Sequence, residues 1–206
     1  MLVTCPQTPM IETIPVVDCI EQFGEIQKII IQRTKNGTVV NTITIATDDP
    51  ALLATWNTLK AAADSTKVQA TPFINEFEGE ESDPREASSV GVGGIAAVLG
   101  DDFTPAQGYF HGTPQKIVKK IRKYNGESNL SVFLVNEHGQ IGCLADDNDN
   151  PTTIKGIPVR SFYVGSKIFG GRNDVDKNKI MWKYLPNYSD EFYIVNPTDF
   201  DPLSDL

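Results

Sequence analysis

Few residues in this chain have the types and spacing that chemistry needs. The two histidines, His111 and His138, have no companion at metal-ligand spacing, and both read as turn residues. A Ser-His-Asp or Cys-His site would need a nucleophile elbow such as GxSxG, and none is present. Cys5, Cys19 and Cys143 form no CxxC and leave one thiol unpaired in any disulfide scheme. That points to folding in a reducing compartment, with the thiols either packed and inert or reactive. GVGG at Gly91 to Gly94 is superficially like a phosphate loop, but no Lys-Ser/Thr pair follows it and no clear strand precedes it. Asp146/Asn148/Asn150 and Asp174/Asp176/Asn178 have the alternate spacing of a calcium loop. At the sixth position, however, they carry Pro151 and Lys179 in place of Gly, and at the twelfth Ile157 and Leu185 in place of Glu. Turn formation by Asp and Asn is the simpler reading. The many carboxylates lie mostly in loops, where nothing would raise a pKa for acid–base work. These residues argue for surfaces and shape over catalysis, and for no cofactor and no metal.

The composition bounds the rest. A chain of 206 residues, 22% charged and 40% apolar, is long enough to bury a core without disulfide or metal staples, which predicts one domain over 1–206. A net charge of −9 disfavours nucleic acid or an anionic membrane as the main partner. No run approaches a membrane span, and the proline-interrupted start lacks the pattern of a signal peptide.

The elements that must position any site centre on Glu25 to Ala46, EIQKIIIQRTKNGTVVNTITIA. Asn36-Gly37 between two β-rich runs is a strong hairpin signal, because both turn residues must accept φ > 0. That turn predicts Thr34 opposite Val39, Gln32 opposite Asn41, Ile30 opposite Ile43 and Lys28 opposite Ile45. Neither face of this hairpin is cleanly polar, so both should be covered, by the same chain or by a neighbouring copy.

Residues 1–18 read as an extended arm. After the hairpin, Asp48 or Asp49 caps a helix with Pro50 at its first position and Trp56 anchoring its apolar stripe. A strand over Lys67 to Ile74 leads into residues 75–94, where six acidic residues among Gly, Ser and Pro predict a long exposed loop. A second helix, Thr113 to Tyr124, buries Ile117, Val118, Ile121 and Tyr124. Its outer face carries Lys116, Lys119, Lys120, Arg122 and Lys123, either solvated or paired with an acidic neighbour. Strands follow at Leu130 to Val135, Ile141 to Leu144, Ile157 to Val164, Lys179 to Tyr184 and Glu191 to Val195. A tail over 196–206 packs by Phe200 and Leu203. The fold class this predicts is α+β: a mainly antiparallel sandwich or barrel-like sheet with two flanking helices and a long hairpin.

VVDCIEQFGEIQKIIIQR (Val16 to Arg33), KVQATPFI, GGIAAVLGDDFTPAQG and the closing KYLPNYSDEFYIVNPTDFDPLSDL resemble, by order and texture, a family of virion structural proteins from tailed phages of Bacteroidetes hosts. The resemblance implies a tail-tube subunit, assembled in the bacterial host cytoplasm. It would form homo-oligomeric rings that stack into a tube, contact other tail or connector proteins, and let DNA pass without specific binding. It implies subunit contacts through the hairpin, with Ile29, Ile31, Asn36, Gly37 and Val40 as the residues to test, and through the acidic loop, with Glu78, Glu80 and Glu81. Ile29, Ile31 and Val40 should then be more buried in the assembly than in the monomer. A head-tail connector or ring protein is the alternative within the virion. A receptor- or carbohydrate-binding baseplate module is another, with Trp182, Tyr184, Tyr188 and Tyr193 as candidate contact aromatics unless they fill the core.

Overall fold

The computed structural model describes residues 22–87, 97–172 and 174–206. Strand β1 (Ile26–Arg33), the short pair β2 (Lys35–Asn36) and β3 (Val39–Val40), and β4 (Ile43–Thr44) lead into helix α1 (Leu53–Ala61). Then come β5 (Val68–Ala70), β6 (Asn75–Gly79), β7 (Pro84–Ala87), β8 (Ala97–Asp101) and β9 (Thr104–His111). Helix α2 (Gln115–Ile121) runs on into a 3-10 turn, Arg122–Tyr124. The remaining elements are β10 (Leu130–Asn136), β11 (Ile141–Ala145), β12 (Thr153–Lys155), β13 (Ile157–Ile168), β14 (Lys177–Tyr184), β15 (Phe192–Val195) and α3 (Pro202–Asp205). Every strand pairing among the described residues is antiparallel, as expected of the sheet. The arm over 1–18, Cys5, Cys19 and the GVGG run lie outside the described residues.

Eleven strands form one sheet, running β4-β12-β11-β10-β13-β14-β9-β6, with β1 and β5 beyond β10 and β15 beside β11. The branching follows from β10. One of its edges pairs along its length with β1, while the other is shared, β13 taking Leu130 to Val132 and β11 taking Leu134 and Val135. The sheet therefore divides, and its two faces bury two cores. Ile29 and Ile31 join Leu130, Val132 and Leu134 in the first, while Ile30 joins Phe133 and Val135 in the second. Period-two alternation sends successive residues of one strand to opposite faces. An unbroken apolar run such as Ile29 to Ile31 or Val132 to Val135 is what a strand covered on both sides requires. The second cover anticipated for this stretch comes from the chain itself.

The long hairpin is corrected accordingly. Strand β1 does not pair with β4; it lies between β10 and β5, and β4 crosses to β12, where Ile43 enters the second core. Only a short tip remains, pairing Lys35 with Val40 and Asn36 with Val39. Its central residues are Gly37 and Thr38, with Gly37 at φ 63°. Asn41 sets this register: its side-chain amide donates to Arg33 O and Ser65 O, both at 2.8 Å, and its N–H donates to Thr34 O at 2.9 Å.

Both flanking helices are present, and each starts later than anticipated. Asp49 closes a turn onto Ala51 N, and the first α1 N–H, on Leu53, donates to Asp199 Oδ1 of the tail at 2.8 Å. A distant carboxylate has taken the capping role. Trp56 is buried edge-on against Phe133 at 5.2 Å, its indole N–H donating to Pro50 O. In α2, Pro114 O accepts from Ile117 N and Val118 N, and Val118 and Ile121 enter the first core. The tail packs through Phe200 and Leu203, as expected, together with Leu206, against the second core, and the buried Lys28 ammonium donates to Leu203 O. These contacts tie the tail to the sheet.

Candidate assembly surfaces and an aromatic cleft

The residues anticipated at a subunit seam fall into two groups. Asn36, Gly37 and Val40 are exposed on the hairpin tip, Val40 at 46%. Asn36 Nδ2 also donates to Asp64 Oδ2 at 3.0 Å. Ile29 and Ile31 are 0% and 4% exposed inside the monomer's own first core. They have no surface left to bury in an assembly, so the seam cannot include them. Their apolar character serves the intramolecular sheet.

The acidic segment is not a loop throughout. Strand β6 pairs with β9, Glu78 opposite Gln107, and Gln107 Nε2 donates to Glu78 Oε2 at 3.1 Å. Pro84 to Ala87 pairs with β8 as a separate hairpin. Glu78, Glu80 and Glu81 are all exposed, and among the described residues β6 has no strand on its outer edge. A bulge after Asn75 places Glu76 at φ 53°, its carboxylate 3.3 Å from His111 Nε2 and 3.4 Å from Lys177 Nζ. Glu76 thus belongs to its own chain. On α2 and the 3-10 turn that follows it, Lys116, Lys119, Lys120 and Lys123 are exposed, and none forms a salt bridge among the described residues.

Sequence reasoning missed one concavity altogether. A cleft of about 620 Å³ opens where β14, β10 and β6 end and where β1 and β9 begin. Phe23 meets Phe192 edge-on at 5.4 Å, Tyr184 and Tyr188 stack at 4.3 Å, and Phe77 lies on Trp182 at 5.8 Å. Gly142 lies under the Phe23–Phe192 pair: a Cβ there would come 2.7 Å from Phe192 Cζ and 3.0 Å from Phe23 Cζ, so only glycine lets both rings approach. Tyr184 is buried, which pushes its phenol well above the ordinary range, and its hydroxyl has no hydrogen-bond partner among the described residues. Of the aromatics singled out for sugar binding, Trp182 and Tyr184 fill the core, while Tyr188 and Tyr193 are half-buried. The rings come from remote segments, so no spacing motif announces the cleft.

The residues weighed for chemistry are dispersed. His138 stands by Glu137 at 3.7 Å, far in sequence and strand position from His111. Burial pushes the Cys143 thiol up to about 12 and leaves it inert. Asp146 accepts from the Thr152 hydroxyl and from the N–H groups of Thr152 and Thr153, and these bonds hold its carboxyl well below the usual range. Asp176 accepts from Lys167 Nζ and Gly170 N, each at 3.0 Å, and Asp174 from Val175 N. The calcium-like spacings thus serve turns, and among the described residues no three His, Cys, Asp or Glu side chains gather as a metal site would need. Nor is any helix among them long and apolar enough to cross a membrane. Comparison of the chain with protein-family models, curated proteins and solved structures gives no match.

Proposed function

We propose that this chain is a virion structural protein of a tailed phage, a tail-tube subunit that acts by assembly and without catalysis. Its copies form rings, and the rings stack around a channel for DNA. The observation that carries the reading is the edge of β6, which is open among the described residues and continued by the exposed Glu80 and Glu81 toward the separate β7–β8 hairpin. Backbone N–H and C=O groups on such an edge take a strand from a neighbour, and repetition of that contact closes a ring. The resemblance noted from sequence supports the same assignment, and an acidic channel wall would keep the DNA backbone from adhering. Negative-stain microscopy of the purified chain tests it: tubes are expected, and rings that do not stack would replace the tail tube by a connector. The aromatic cleft favours a second reading, a carbohydrate-binding baseplate module, for which the same images would show compact monomers or trimers.

A further inference from the structure

Strand β14 runs from Lys177 to Tyr184, opposite β9 from His111 back to Thr104. Tyr184 and Thr104 line the aromatic cleft. At the other end of the same two strands, about 23 Å away at roughly 3.3 Å per residue, the β13–β14 hairpin turns. Its tip is apolar and exposed: Ile168, Phe169 and Val175, with Phe169 80% accessible. The turn is braced, because Asp176 accepts from both Lys167 Nζ and Gly170 N at 3.0 Å. A fixed apolar knob at one pole and an aromatic hollow at the other are complementary surfaces of one molecule.

The charges around them are complementary too. Glu80 lines the cleft, and Glu81, Asp83, Asp101 and Asp102 are exposed on the neighbouring strand ends. At the knob, Arg172 is exposed, and so is Lys116 in the first turn of α2, next to Gln115, which bonds Asn178 beside the hairpin tip. The knob's carboxylates Asp176 and Glu76 are occupied by Lys167 and Lys177, which leaves Asp174 as its exposed acid. An apolar centre with a charged rim is the anatomy of a specific protein interface.

We propose that copies of this chain join head to tail, the Ile168–Phe169–Val175 knob of one copy seating in the aromatic cleft of the next. The inference rests on the assembly reading above and adds the surfaces that join successive copies. Because knob and cleft are different patches at opposite poles, the contact is heterologous: it propagates until it closes or continues as a filament. The cleft's volume falls in the range of sites that enclose a ligand group, and a buried aromatic is the usual anchor of such an interface.

Sedimentation velocity on the full chain tests this with two variants. Phe169→Asp spoils the knob and leaves the cleft. Gly79→Trp fills the cleft and leaves the knob. Gly79 lies on the same face of β6 as Phe77, has no left-handed φ, and an added Cβ there would meet no atom within 4 Å. Each variant alone should self-associate at least about thirtyfold more weakly than the parent, as expected when an aromatic anchor is lost. Mixed in equal amounts they should pair through one knob-to-cleft contact and propagate no further by it, since one good knob and one open cleft remain. Unchanged melting temperatures are the folding control, with Ser189→Trp as a second cleft-filling variant. If Phe169→Asp assembles like the parent, or the mixture gives no dimer, the docking claim fails while the tail-tube reading stands. A parent that stays monomeric at every concentration defeats both.

Discussion

Replacing Ile29 by alanine separates a core role from a seam role. Ile29 is fully buried at the middle of β1, opposite Leu134 of β10, with Thr71 Oγ1 accepting its N–H on the other side at 3.2 Å. Neighbours held in two ladders cannot collapse into the space left, so the loss belongs in the middle to upper part of the range for Ile→Ala, about 3–4 kcal/mol. In a chain of this size each kcal/mol moves the midpoint by about 2–4 °C, so melting should drop by roughly 6–16 °C. The matched control is Val40→Ala on the half-exposed hairpin tip, which should change stability by less than about 0.5 kcal/mol. Thermal unfolding followed by circular dichroism at low micromolar concentration, with assembly scored separately by sedimentation, is the assay. A fall of less than about 3 °C for Ile29→Ala together with loss of assembly would refute the placement of this residue in the core.

Three further outcomes follow from single contacts. Gly37→Val forces a β-branched residue into the left-handed region at a cost of about 1–2 kcal/mol; the hairpin tip should lose its turn and ring formation should fail, while the sheet survives because β1 is held by β10 and β5, and normal rings in micrographs would remove the tip from the seam. Asp199→Ala uncaps α1 and should lower stability by about 1 kcal/mol, read as a midpoint shift of about 2–4 °C; an unchanged midpoint would show that water replaces the cap without loss. Cys143 should resist iodoacetamide at pH 8 in the folded chain and react once denaturant is added, as peptide mapping will show. Its thiol titrates near 12 in the folded state and about 8.5 unfolded, so the unfolded chain releases this proton first and stability should fall as pH rises between those values; labelling of the native protein would contradict the burial.

Much of the architecture was legible because it is local. An apolar run marked the long strand β10, helical spacing marked Trp56 in α1 and Val118 and Ile121 in α2, and the tail showed its anchors Phe200 and Leu203. The expectation for β1 was half right. An apolar pattern on both faces does require cover on both sides, but the identity of the cover is not written in the strand, and the turn sits one residue later than Asn-Gly predicts because Asn41 bonds across to Arg33 and Ser65. The expected strand over Lys67 to Ile74 contains β5, and the hairpin's second run contains β4, but β12 depends on partners supplied from elsewhere, so its three residues could not announce it.

The sequence by itself determined the chemical temperament of this protein: acidic, poor in histidine, without a catalytic motif, and rich enough in β-branched residues to build an antiparallel sheet. Only tertiary structure decided which of those apolar residues became surface. Ile29 and Phe169 are both large and apolar, yet β10 and β5 bury the first while the β13–β14 turn holds the second out in solvent. The aromatic cleft likewise exists only where remote segments converge. Burial is a property of what lies across the ladder, and residues distant in sequence supply it.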